Sequence, residues 1–145
     1  MFFSPDSETR RIEVSSMPGK HFHRTVLVSE DLSLPRAIAV APYDGLMFWT
    51  DWGTPVPKIE RASMDGKNRT ILVDTQLEWP NGLTLDYEKK LLYWIDAKMQ
   101  YIAVIDWDGF NRKTLLKDEE GRVLHMPFAI SVYRSELYWT DWNTK

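Results

Sequence analysis

The chain has 145 residues, 43% of them hydrophobic and 27% charged, which suits one ordinary globular domain with a real core. A net charge of −3 points to neither nucleic acid nor an anionic membrane surface, and the absence of cysteine excludes disulfides and Cys-metal sites within these residues. No run approaches the roughly 18 apolar residues of a membrane-spanning helix; on composition alone, a Cys-free chain leans cytosolic.

The start, "MFFSPDSETR", lacks a basic flank and a long apolar stretch, so it does not read as a secretion signal. "RIEVSSMPGKHFHRTVLV" (11–28) reads as two strands about a Pro18-Gly19 turn. His21 and His23 alternate there and could share one strand face. A metal site would need further ligands that the pattern lacks, so an exposed turn is the reading. "LPRAIAV" (34–40) puts a Pro before an alternating apolar run, and a polar turn, "PYDG" (42–45), leads into the aromatic strand "MFWTDW" (47–52). "KIERASMDGKNRTILV" (58–73) then reads as strand, Asp-Gly turn, strand, a strong hairpin signal. Its "NRT" fits the glycosylation acceptor pattern at Asn68.

The same order then returns. "WPNGLTL" (79–85), "DYEKK" (86–90), "LYWIDA" (92–97) and "YIAVIDWDGFNRKTLLK" (101–117) repeat it, and "MPFAISV" (126–132), "YRSE" (133–136) and "LYWTDW" (137–142) begin it again. Trp49, Trp94 and Trp139 stand 45 residues apart, as do Asp51, Asp96 and Asp141. Four short strands per repeat of this period, with no amphipathic helix, predict the blades of a β-propeller. The fold class is therefore all-β, with antiparallel four-stranded blades in about three blade equivalents. These are a half blade at 10–28, blades at 34–75 and 79–118, and a half blade at 126–142. Such a chain is expected either to be part of a larger ring or to form the ring as a homodimer, the N-terminal pair of one copy completing the C-terminal pair of another.

Neighbouring strand residues point to opposite faces. Tyr138 and Thr140 share one face, Trp139 and Asp141 the other. A blade is sandwiched on both faces, so the aromatics supply buried area worth about 2–3 kcal/mol each. A buried Asp needs hydrogen bonds there. Trp49, Asp51, Trp94, Asp96, Trp139 and Asp141 are read as structural, since no catalyst needs one carboxylate per blade. Ile95 replaces the motif Thr and leaves the strand intact.

"FWTDW", "YWID" and "YWTDW", with "PRAIAV", "WPNGLTLDY" and "MDGKNRTILV", resemble the YWTD β-propeller of the low-density-lipoprotein-receptor-related family. "WPNGLTLDYEKKLLYWIDAK" and "PKIERASMDG" are most similar to its Wnt co-receptor members. The resemblance implies a six-bladed propeller on the extracellular side of the plasma membrane, within a longer single-pass receptor. It overrides the cytosolic lean. It implies no enzyme activity and no cofactor. The implied partners are extracellular proteins, Wnt-type ligands or secreted inhibitors, one of them a peptide whose Asn is recognised.

Propeller loops at one end of the ring form the usual binding surface. The residues entering each first strand there are Arg36, Asn81 and Phe128; those following each Trp-Asp strand are Trp52, Lys98 and Trp142. Trp52 and Trp142 are either surface anchors for a partner or packing groups under a neighbouring loop. Arg36 either contacts a partner or pairs with a nearby Asp. Asn81, in "PNG", is explained without a ligand if it stabilises its own turn. A matrix-interaction propeller of the nidogen type is the alternative function. The lack of any Gly-His pair argues strongly against a WD-repeat scaffold, and the sequence offers no cluster of converging acids and histidines for a propeller hydrolase, His125 being the only other histidine.

Overall fold

The computed structural model describes residues 1–16, 21–53 and 55–142. The described residues contain thirteen strands and no helix. β1 (Phe2–Asp6), β2 (Arg11–Ser16) and β3 (His23–Val28) form one antiparallel sheet. The first complete blade is β4 (Pro35–Ala41), β5 (Leu46–Asp51), β6 (Lys58–Ser63) and β7 (Thr70–Val73), in sequence order. The second is β8 (Pro80–Asp86), β9 (Leu91–Asp96), β10 (Tyr101–Asp106) and β11 (Lys113–Lys117). β12 (Pro127–Tyr133) and β13 (Glu136–Asp141) form a final pair. The Pro18-Gly19 turn expected between β2 and β3 lies outside the described residues.

The N-terminal sheet is a strand wider than the pair expected over 10–28. β1 pairs with β2 through Asp6↔Arg11 and Phe3↔Val14, in the register by which β5 meets β6 through Asp51↔Lys58 and Phe48↔Arg61. It is a second strand in which Ser4 stands at the Trp position. Joining this sheet to β12–β13 of another copy would place two second strands, β1 and β13, in one blade. The pairwise homodimer closure expected from the sequence does not fit that strand count.

Alternation along the motif strands separates the core into layers. Met47 and Trp49 pack with Ile12, Val28 and Ala62, between the N-terminal sheet and the first blade. Phe48 packs with Leu92, Trp94 and Ile105, between the two complete blades. Tyr93 and Ile95 pack with Ile102 and Ile130, between the second blade and β12–β13. The motif Trp thus faces the preceding sheet and the aromatic before it faces the following one, which is why β5 and β9 are buried on both faces. Trp49 and Trp94 are fully buried while Trp139, at the same motif position in the terminal pair, is 37% exposed.

Arginines fasten the linkers between sheets. Arg69 holds the buried Glu60 carboxylate bidentately at 2.8 Å, donates to the carbonyls of Glu30 and Asp31, and lies over Trp49. Arg112 donates to the Thr75 and Gln76 carbonyls and lies over Trp94. Arg24 pairs with Glu13. Each stands just before or at the start of a fourth strand, so one belongs to each of the three sheets that have such a strand.

The Asp-Gly turn between β6 and β7 sits against the neighbouring sheet. Gly66 has φ +84, and a Cβ there would lie 2.2 Å from the Leu27 carbonyl oxygen. Gly45 has φ +66 with open space around it. Gly66→Ala is expected to cost about 2–4 kcal/mol and Gly45→Ala about 1 kcal/mol, because both strain the backbone but only the first also meets a fixed backbone atom. Thermal unfolding of the two variants checks this; equal losses would mean that the turn does not pack on Leu27.

Candidate functional site

The motif carboxylates build the end of the propeller at which the first strands begin. Asp51 accepts hydrogen bonds from the amides of Ser33 (2.8 Å), Leu34 (2.7 Å) and Gly53 (3.1 Å). Asp96 accepts from Glu78 (2.8 Å), Trp79 (3.1 Å), Lys98 (3.0 Å) and Met99 (2.9 Å). Asp141 accepts from His125 (2.7 Å) and Met126 (3.0 Å). The amides of Trp52, Ala97 and Trp142 return bonds to the carbonyls of Leu34, Trp79 and Met126. Each Asp therefore ties the loop entering its blade to the residues leaving the motif strand. The residues beside it are fixed at one end of the molecule.

A bulge then aims a side chain at that end. Pro35, Pro80 and Pro127 pair with Asp51, Asp96 and Asp141, after which each first strand gains one residue on its partner. The extra residues are Arg36, Asn81 and Phe128. Bulges re-aim side chains in this way beside functional sites. In the first blade and the terminal pair the motif Thr supports the bulge: Thr50 Oγ1 accepts from the Ala37 amide at 3.1 Å and Thr140 Oγ1 from the Ala129 amide at 3.3 Å.

The candidate residues meet as a ladder across three sheets. The Lys98 ammonium lies 5.3 Å from the Trp79 ring centre. Trp79 meets Trp52 edge to face at 5.6 Å. The Arg36 guanidinium sits between Trp52 (5.2 Å) and Phe128 (5.0 Å). Phe128 stacks on Trp142 at 4.7 Å and 18°. Trp142 is 66% exposed, whereas Trp52, Trp79, Arg36 and Phe128 are half-buried. Trp52 is therefore both a packing group and part of the surface, and Trp142 is a surface aromatic.

Arg36 pairs with aromatic faces; among the described residues it has no ion pair with a carboxylate within 4.0 Å. Asn81 does not hold its own turn. Its amide nitrogen donates to the Pro127 carbonyl at 3.1 Å, bridging the second blade to the terminal pair, and its buried Oδ1 has no protein partner among the described residues. Trp79, at the centre of the ladder, was not among the sequence candidates. Its place before Pro80 matches Leu34 and Met126, so the signal was positional and the residue type varies.

The histidines stand apart from the ladder: His21 and His23 are exposed around the start of β3, and His125 donates its amide to Asp141. Asn68 lies at the other end of the propeller, in the β6–β7 turn.

The linker from β11 to β12 is shaped by Asp118, which is 8% exposed. Its carboxylate accepts from the amides of Leu124 (2.6 Å) and Val123 (2.5 Å), which hold its pKa down to about 2. Because the folded pKa lies below the unfolded one, its contribution to stability is present above the unfolded value and is lost as pH falls from about 4 toward 2. An NMR titration of the Val123 and Leu124 amides is expected to show a midpoint near about 2; a midpoint at the ordinary carboxylate value would remove this cap from the linker.

Fold and site together define a piece of β-propeller whose one end is a braced aromatic and cationic surface. The sequence model for the low-density lipoprotein receptor repeat class B matches residues 1–40, 45–87 and 90–133, and the chain belongs to that family. It is 44% identical over 115 residues to the Drosophila melanogaster vitellogenin receptor Yl, covering 79% of this chain and 6% of that one. It is 42% identical over 135 residues to the human low-density lipoprotein receptor-related protein 5-like protein, covering 93% of this chain and 51% of the relative. Among solved structures, the nidogen propeller of a nidogen/laminin complex superposes with a TM-score of 0.87 at 40% identity, over 98% of this chain and 51% of that one. The chain thus spans at most about half of these relatives. A Xanthomonas campestris gluconolactonase, 20% identical with a TM-score of 0.69, shares the fold alone. The receptor and nidogen relatives are non-enzymatic families.

Proposed function

We propose that the chain is an extracellular protein-binding module of a low-density-lipoprotein-receptor-related receptor, and that it takes a protein ligand on the end carrying Arg36, Trp52, Asn81, Lys98, Phe128 and Trp142. The observation that carries this reading is the ladder. Aromatic and cationic groups from three sheets converge on one end, with Arg36 making no ion pair to a carboxylate among the described residues and an exposed Trp at the margin. Rigid aromatics with an arginine are the composition of interface anchors. The likeness to the Wnt co-receptor members makes a Wnt-type ligand or a secreted inhibitor the first choice of partner. The parent receptor would be anchored in the membrane outside the present residues.

A matrix role of the nidogen type is the second reading, supported by the 40% identity to the nidogen propeller. Two probes separate them: an Asn-bearing peptide of a secreted Wnt inhibitor, and a laminin fragment, each passed over the immobilised chain. Capture of the first supports the receptor reading and capture of the second the matrix reading. Failure of both with a folded chain would falsify the assignment of this end as a binding surface.

A further inference from the structure

We propose that Asn68 carries an N-linked glycan, set at the end of the propeller opposite the ladder. The inference rests on the extracellular reading above, since the lipid-linked oligosaccharide donor is met in the secretory lumen. Asn68-Arg69-Thr70 is the only Asn-X-Ser/Thr tripeptide in the sequence. It occupies the turn between β6 and β7. Ser63 pairs with Leu46 and Lys58 with Asp51, so β6 runs away from the ladder and this turn lies at the far end.

The local geometry suits the modification. Asn68 and Thr70 are exposed, whereas Arg69 between them is drawn inward onto Glu60 and Trp49. Asn68 has φ 52, and its Nδ2 donates to Ser63 Oγ at 3.1 Å. A primary amide has two such hydrogens. One serves Ser63 and the other can be replaced by a sugar, so the turn keeps its bond after modification. The corresponding turn of the second blade is a built-in comparison. Asn111 there has φ 57 and donates from Nδ2 to Asp106 at 2.6 Å, but Lys113 stands where Thr70 does. Holding the turn accounts for the Asn in both blades; the Thr70 hydroxyl, which donates only a long 3.5 Å bond to the Asn68 carbonyl, is the feature the second blade lacks.

In the transfer, Nδ2 bonds to C1 of the oligosaccharide while the C1–O bond to the lipid diphosphate breaks. The diphosphate leaves with the electron pair, and the transferase takes one amide proton. The product stands beside the turn that covers Leu27, clear of Arg36 and Trp142. It closes that end to bulky partners and leaves the ladder open.

The test is expression of the 145-residue chain behind a cleavable secretion signal in animal cells. Total lysate and medium are treated with peptide-N-glycosidase F, so the readout does not depend on export. A single-glycan mobility shift is expected, lost in Asn68→Gln and Thr70→Ala and retained in Thr70→Ser, with unchanged capture of the two probes above. A chain that has lost its signal yet shows no shift overturns the proposal, as does a shift that survives Asn68→Gln. A glycosylated chain that captures neither probe sinks the binding reading and leaves the glycan; capture by an unglycosylated lumenal chain does the reverse.

Discussion

Asp96→Ala is expected to destabilise the protein by about 3–5 kcal/mol, more than any other single change in the motif strands' polar positions. The Asp96 carboxylate is fully buried and receives four backbone amides, those of Glu78, Trp79, Lys98 and Met99. Truncation leaves all four donors without their acceptor, at about 1–3 kcal/mol for each one that water cannot reach. Asp51→Ala should follow, with three donors. Asp141→Ala should cost least, because its side is half-open to water. Asp96→Asn tests the cause: the size is kept, but an NH₂ group is pushed against N–H donors, so most of the loss should remain. Urea midpoints of the four proteins decide the order. Wild-type stability in Asp96→Ala would mean that the motif Asp is kept for something other than the fold.

The repeat was legible because its markers are rare residues at a fixed interval, and the Asp-Gly turns fixed where each outer hairpin bends. β1 was not, for a local reason. Ser4 stands where Trp would be and Pro5 removes a ladder donor. What survives of the motif is Asp6, whose carboxylate accepts from the Glu8 and Thr9 amides as Asp96 does from Lys98 and Met99. The ladder positions could be picked by strand-end logic, but their contacts could not. "LPRAIAV" reads as plain alternation, and the residue added at Arg36 appears only when β4 is laid against β5. The alternative to a ligand-binding Asn81 was a local turn bond, and its amide instead reaches Pro127, 46 residues on. Arg69 and Arg112 stand at matching places after the two Asp-Gly turns, but their seats over Trp49 and Trp94 depend on which sheet comes next to which, a relation that the one-dimensional period does not contain.

That same dependence separates binding from folding in the second large effect. Trp142→Ala and Arg36→Ala are expected to weaken capture of the cognate probe about 10–100-fold while changing stability by no more than about 1–2 kcal/mol. Trp142 is 66% exposed, so truncation removes little buried area, whereas Trp94→Ala in the closed core should cost about 3–5 kcal/mol. Arg36 is held between two rings, each contact worth about 0.5–1 kcal/mol at such an exposure, and its forked donors are the group that a partner's carboxylate or carbonyl would meet. Arg36→Lys should therefore fail to restore binding, because an ammonium neither stacks between the rings nor offers the fork. Salt distinguishes the two acceptors. Raising ionic strength from about 0.1 M to 1 M shrinks the screening length from about 10 Å to 3 Å. Affinity through a carboxylate should fall steeply over that range, and affinity through a neutral carbonyl should hardly move. Variants at both positions that unfold the chain, or that bind as tightly as the unmodified protein, would move the partner away from this end of the propeller.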